Sequence, residues 1–336
     1  MGAMTRGLLL AIAPGIACLA CFAQNQQTYA EKLGWGKNDR VLILHIDDAG
    51  MSYDTNVAVK AVLENGAARS LSVMMPTPWV PQIVRYIKEH PGTDAGLHLT
   101  LTSEWRDYRW GPLAGAAAVP GLTDPEGALW RGVDNVVKHS NPDEVDREMR
   151  AQLDRAEKMG FHPTHLDSHM GTLFASPAFL EKYVSLGVEK QIPVMMPGGH
   201  DAYLKADTNA GEERLTPLRK LGARLWDAGL PVLDDLHNTS YGWKLPQERD
   251  DEHLRAWRTK LYMDTLRQLK PGVTMVIMHC TSPTSVFAQI SDSGDLRKAD
   301  MLAMLDPAFR AFLDQEGFVL TTWKELRERR RHLAQH

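Results

Sequence analysis

Cysteine is nearly absent from this chain. Of the three present, Cys18 and Cys21 fall in an N-terminal stretch that reads as a removable leader, and Cys280 stands alone downstream. One cysteine cannot form an internal disulfide, so the mature chain is expected to fold without covalent staples even in an oxidising compartment. A basic footprint is also missing: 38 Lys and Arg face 42 Asp and Glu, a formal net charge of -4, which excludes a nucleic-acid-binding composition. The run Arg329-Arg330-Arg331 follows alternating charges and reads as the solvated face of a last helix. Internal repeats, low-complexity tracts and linkers rich in Gly, Ser or Pro are lacking, so nothing marks a solenoid or a domain boundary.

Long apolar runs are confined to the N-terminus. Arg6 precedes an uncharged, mostly apolar stretch from Gly7 to Phe22, which ends in small residues before Gln24-Asn25-Gln26-Gln27. That is the pattern of a secretory signal peptide with Ala23 as its last residue, and it is too short for a membrane span. The expectation is a leader over 1–23, export to the periplasm or the exterior, no transmembrane span in the mature chain, and one domain over 24–336. A lipid anchor on Cys21 is the alternative to simple cleavage, although the residues before it fit a lipoprotein signal only loosely.

Hydrophobic residues make up 43% of the chain and charged residues 24%, the balance of a soluble enzyme. Apolar strand-like runs occur at Val41 to Ile46, Leu71 to Met75, Ala95 to Leu101, Thr164 to Asp167, Ile192 to Met196, Val232 to Leu233, Thr274 to Met278 and Phe318 to Leu320. Helical patterns alternate with them near 54–65, 79–89, 143–159, 177–188, 212–228, 250–268, 300–314 and 321–332. Such alternation predicts an α/β fold, a single TIM-like (β/α) barrel of seven to eight strands. Helix faces that pack on a barrel cannot be told from an interface stripe, which leaves monomer and homodimer both open.

A barrel of this kind works at the C-terminal ends of its strands. The first strand ends there in two adjacent carboxylates, Asp47 and Asp48, followed by Ala49-Gly50. Neighbouring carboxylates repel, and burial raises their pKa, so a cation that neutralises one member makes such a pair tenable. In Gly96-Leu97-His98-Leu99-Thr100-Leu101, alternation sends the three leucines to the helix-facing side and His98 to the barrel mouth. In Thr164-His165-Leu166-Asp167-Ser168-His169, His165 and His169 share a face but lie about 13 Å apart along an extended strand, too far to bind one ion. His169, nearer the C-terminal end, is the better ligand, and His165 is expected to hydrogen-bond within the barrel. The strand Met275 to Met278 delivers His279 at its end.

The ordered pieces His45-Ile46-Asp47-Asp48-Ala49-Gly50, Gly96-Leu97-His98-Leu99-Thr100 and His165-Leu166-Asp167-Ser168-His169, with Met278-His279 later, resemble the YdjC-like carbohydrate deacetylases, relatives of the polysaccharide deacetylases. The resemblance implies Asp48, His98 and His169 as metal ligands, Asp47 as general base and His279 as general acid. It departs from the family pattern where Met170-Gly171-Thr172 follow His169 and Cys280-Thr281-Ser282 follow His279, positions on the substrate-facing rim. Its implied substrate is an acetylated sugar or oligosaccharide. The chemistry agrees, because amide hydrolysis needs an activated water, a stabilised oxyanion and a proton for the nitrogen. One divalent ion on a His-His-Asp set meets the first two needs; zinc suits that set best, with magnesium, manganese or cobalt as alternatives.

Substrate contacts are expected from the long segment 102–139, which carries Trp105, Arg106, Arg109 and Trp110 and reads as a lid. His200, just past the fifth strand-like run, is a further candidate. The rival readings are a metal-dependent hydrolase of another ester or phosphoester, against which the lack of a glycine-rich anion nest argues, and a non-catalytic carbohydrate-binding barrel.

Overall fold

The fold is described from a computed structural model over residues 27–333; the expected leader, with Cys18 and Cys21, lies outside the described residues. Seven strands appear: β1 (Arg40–Ala49), β2 (Ser70–Val73), β3 (Asp94–Leu99), β4 (Leu166–Ser168), β5 (Asp235–His237), β6 (Gly272–Met278) and β7 (Val319–Leu320). Every pairing is parallel, in the order β4-β3-β2-β1-β6-β5, with β7 on the first half of β1 at Val41 and Leu42. Two isolated parallel bridges, Leu166 with Val194 and Pro197 with Leu233, carry the pairing on from β4 to the chain entering β5 and close the ring.

Alternation along the strands makes two cores. Leu42, Leu44, Ile46, Leu97 and Leu99 face outward into the main cluster beneath the helices, while Val41, Ile43, Val273, Met275 and Ile277 fill the barrel interior with Trp323. At the N-terminal end of the barrel, buried carboxylates terminate the packing. Asp94 accepts from the Trp323 and Lys324 amides at 2.9 and 3.0 Å, and Asp234 accepts from the Tyr29, Ala30 and Val273 amides at 2.7, 3.0 and 2.9 Å. Donors that a helix start leaves unpaired are thereby satisfied out of water.

Two expected strands, Ile192 to Met196 and Val232 to Leu233, form only these bridges. Each holds its neighbours through a few hydrogen bonds, such as Met195 N to Leu166 O at 2.8 Å and Leu233 N to Met196 O at 3.1 Å. The single helix expected over 300–314 is two, Gly294–Met304 and Pro307–Gln315. Pro307 has no N–H to continue the first, and the Asp306 side chain caps the second through Ala308 N at 2.9 Å.

Candidate functional site

Adjacent strand residues point to opposite faces, so two neighbouring aspartates share a site only if the strand breaks its alternation. It does so at the end of β1. Between the pairs Ile46 with Leu71 and Ala49 with Val73, β1 has two residues and β2 one, a bulge formed by Asp47 and Asp48. Asp48 sits there at φ 66°, in the left-handed region that aspartate tolerates better than most residues. Both carboxylates then face the cavity at the barrel mouth.

Asp48 Oδ1 meets two imidazoles. It lies 3.3 Å from His98 Nε2 on β3 and 3.2 Å from His169 Nδ1 just past β4, and the two ring nitrogens are 3.2 Å apart. Ligand atoms about 2.0–2.2 Å from a tetrahedral ion stand roughly 3.4 Å from one another, so this triangle fits a divalent cation. Asp48 Oδ1 is buried with no hydrogen-bond partner, the mark of an atom awaiting a ligand.

Carboxylates hold both rings from behind. Asp167 Oδ1 accepts from His98 Nδ1 at 2.6 Å, and Glu104 accepts from His169 Nε2 at 3.1 Å. The nitrogens opposite those contacts keep their lone pairs for the triangle, the carboxylate–imidazole arrangement that orients metal-binding histidines. Arg297 Nη1 fixes the other Asp48 oxygen at 2.7 Å, so that Oδ1 is turned inward. Burial alone would raise the Asp48 pKa, but the Arg297 guanidinium and the two imidazoles hold it well below the usual range. Burial likewise opposes charge on His98 and His169, yet Asp167 and Glu104 push His98 well above its ordinary value and His169 up to about 9. The pocket therefore favours positive charge, carried by protons or by a metal ion that displaces them.

Asp47 lies alongside. Its Oδ1 is 3.2 Å from His45 Nε2, and its Oδ2 is 3.9 Å from His279 Nε2 and 3.8 Å from His98 Nε2. Beneath it His45 bridges to Asp167 Oδ2 at 3.0 Å, and these two carboxylates outweigh its burial to bring its pKa to about 9. His279 follows β6, its backbone N–H donating to Asp300 at 2.9 Å, and burial lowers its pKa. His165 is deeper, as expected: it bonds Thr164 Oγ1 at 3.0 Å, stacks on Trp323 with centroids 5.2 Å apart, and is pushed by burial down to about 4.

A cavity of about 730 Å³ opens above the triangle and takes in Asp47, Asp48, His98, His169 and His279. Of the expected substrate contacts, Trp105 lines it, and four residues do not. Arg106 is exposed and pairs with Asp107; Arg109 binds Asp124, Glu126 and Leu129 O inside its own loop. Trp110 is buried, its indole N–H donating to Thr102 O at 3.0 Å, and His200 bonds Pro271 O at 3.0 Å. The segment 102–139 is itself anchored, because Glu148 accepts from the Leu113 and Ala114 amides and Glu144 from Gly121. Its polar and aromatic residues mostly hold the loop together.

Glu104, Asp167, Arg297 and Tyr241 were not singled out from sequence. Alternation puts Asp167 on one face with His165 and His169, but its role in holding His98 and His45 is visible only in the structure. Glu104 and Arg297 reach the site from a loop and from the helix Gly294–Met304, with no local pattern to announce them. Tyr241 stands edge-on to His279 at 4.9 Å and beside Arg297 at 5.3 Å.

The YdjC-like protein profile matches residues 41–315. A carbohydrate deacetylase of Thermus thermophilus is 32% identical over 302 residues, covering 89% of this chain and 97% of that protein. Another, of Thermoanaerobacter pseudethanolicus, is 23% identical over 288 residues, covering 86% and 100%. A crystal structure from Enterococcus faecalis, provisionally described as a cellobiose-phosphate cleavage protein, superposes with a TM-score of 0.67 at 18% identity, covering 86% of this chain and 99% of that one. With the profile matching most of its length and a relative 32% identical over nearly all of that protein, the chain belongs to the YdjC-like protein family.

Proposed function

We propose that this protein is a metal-dependent hydrolase that removes acetyl groups from N-acetylated amino sugars. The observation that carries the reading is the buried triangle of Asp48 Oδ1, His98 Nε2 and His169 Nδ1 beside Asp47 and His279. Its relatives of 32% and 23% identity, both carbohydrate deacetylases, support the substrate class.

When bound to Asp48, His98 and His169, a divalent ion supplies Lewis-acid polarisation of water and of the amide carbonyl. Two imidazoles and one carboxylate suit zinc, with magnesium the alternative to test. Asp47 is the general base: His45 secures one of its oxygens and leaves the other toward the cavity. His279, whose pKa burial lowers, stands with Nε2 3.9 Å from Asp47 Oδ2; it takes up the water's proton only as the reacting groups draw the two side chains into hydrogen-bond reach, and delivers it to the nitrogen as the C–N bond breaks. The water oxygen ends in acetate, and the nitrogen leaves as an amine. Asp167 and Glu104 act through the rings they orient. Trp105 and Tyr241, on the cavity wall, offer ring faces to a sugar.

The N-terminal pattern supports export of a mature chain beginning near Gln24 as one domain. Among the described residues, no helix is long and apolar enough to cross a membrane.

The test is acetate release from N-acetylated mono- and oligosaccharides by metal-stripped protein, zinc- or magnesium-reconstituted protein and the Asp48→Ala variant. Release that requires metal and disappears in the variant is expected. Absence of release from every sugar by protein holding stoichiometric zinc overturns the reading.

A further inference from the structure

A second cavity, of about 510 Å³, lies between the helix Val80–Glu89, the segment 160–164 that leads into β4 and the last helix, Trp323–Leu333. Thr93 and Ala95 line it at the start of β3, whereas His98 stands near the other end of that strand, so this groove is at the opposite end of the barrel from the triangle. Four cations line it, Lys88, Lys324, Arg327 and Arg331, against one carboxylate, Glu328. The chain as a whole has more acids than bases, and Arg109, Arg150, Arg224 and Arg258 elsewhere each meet a carboxylate. Among the described residues, none of the four groove cations forms an ion pair.

Three of them are held in place. Lys324 Nζ donates to Pro91 O at 3.4 Å, Arg327 Nη2 donates to Gln191 O at 2.7 Å, and Lys88 Nζ lies over Gly160, 3.4 Å from where a β-carbon would stand. Of the run Arg329-Arg330-Arg331, the first two pack over Trp35 and Trp226, and the exposed Arg331 remains for the groove. Like charges gathered without counter-ions oppose one another. Arg327 shows the effect: burial and the Arg331 charge lower its pKa, and its Nε is shut off from water without a hydrogen-bond partner. Asp94 does not relieve it, because both its oxygens accept from the Trp323 and Lys324 amides.

Fixed guanidinium and ammonium donors suit the oxygens of a phosphate. The cavity is larger than a bare phosphate needs and has the size of a small organic ligand, and Ile87, Ala95 and Phe161 give it apolar surface for carbon. We propose that this groove binds a phosphate ester, with the phosphate held by Lys88, Lys324 and Arg327 and with Arg331 beside them. A small soluble ester and the headgroup of an anionic lipid share that chemistry. The site stands apart from the hydrolase reading and takes no part in the reaction.

The test is calorimetry of glycerol 3-phosphate with the zinc-loaded full chain, the Asp48→Ala variant and the Lys324→Gln/Arg327→Gln double variant, each checked for its melting temperature. Co-sedimentation of the same proteins with phosphatidylglycerol and phosphatidylcholine vesicles runs in parallel. Binding that survives Asp48→Ala and weakens by about tenfold or more in the double variant is expected. Lys88→Gln should weaken it as well, and it decides the matter if the double variant does not fold. Co-sedimentation with phosphatidylglycerol but not phosphatidylcholine, lost in the double variant, identifies a lipid headgroup. Glycerol phosphate binding without co-sedimentation identifies a soluble ester. Binding lost in Asp48→Ala overturns the proposal, because the phosphate then sits on the metal of the triangle. Equal affinity for acetate overturns it too, as do binding unchanged in the groove variants and absence of binding to ester and vesicle alike.

Discussion

Asp167 is the residue on which the geometry places the most weight without giving it a ligand's role. Replacing it with asparagine keeps the shape and one carbonyl acceptor but loses the charge and the second acceptor. Its Oδ1 holds His98 Nδ1 at 2.6 Å and its Oδ2 holds His45 Nε2 at 3.0 Å, while His45, with a pKa of about 9, presents a donor at neutral pH. In the variant one of those two N–H groups faces an amide NH2. Either His98 rotates away from Asp48 or His45 gives up its proton, and both outcomes loosen the triangle. Carboxylate partners of metal-binding histidines contribute about 10–100-fold in affinity, or roughly 1.4–2.7 kcal/mol. Zinc titration of Asp167→Asn by calorimetry with a competing chelator at pH 7.5 should therefore show a Kd raised by about that factor, and the melting temperature of the metal-free protein should fall as well. A zinc affinity equal to the parent's would refute the idea that Asp167 orients His98 for a cation.

Asp47→Asn should keep stoichiometric zinc and lose about 10²–10⁴-fold in kcat, measured as product release, because it removes the proposed base and spares the triangle. Gly96→Ala places a methyl carbon 2.3 Å from His165 Nε2, backed by Trp323, and should lower the melting temperature by the equivalent of about 1–3 kcal/mol. His237 is buried with both ring nitrogens unpartnered, and burial pushes its pKa down to about 4. The folded state keeps it neutral while the unfolded chain takes up a proton near pH 6.5, so its share of stability is present above 6.5 and lost as pH falls toward 4, about 3 kcal/mol at most. His237→Phe should flatten the melting-temperature profile across that window, as a calorimetric pH series would show.

The chemistry was more legible in the sequence than the rim. Strand alternation sent His98 inward, and the family resemblance joined it to Asp48 and His169; the structure brings these three within hydrogen-bonding distance of one another. Asp47 and Asp48 were visible as a pair, but their common orientation depends on a bulge that only the partner strand reveals. Arg106, Arg109, Trp110 and His200 drew attention as residue types suited to sugars. Their partners, Asp107, Asp124, Thr102 O and Pro271 O, are contacts that no periodicity encodes. Strand-like runs at 192–196 and 232–233 have the right apolar character, yet each pairs only through an isolated bridge.

Those two bridges make the barrel mechanically uneven. Asp48, His98 and His169 stand on or just past β1, β3 and β4, which are joined through β2 by ladders broken only at the Asp47–Asp48 bulge, whereas the cavity wall around Met195 and Pro197 hangs on a seam of a few hydrogen bonds on either side of residues 193–197. Local opening is cheapest where few backbone bonds must break together. Breathing at this seam widens the cavity while the spacing of the cation triangle holds, and amide exchange should be faster around Val194 to Gly198 than along β1 and β3. Within one closed fold, the cavity wall at this seam can move without retuning the residues that hold the cation.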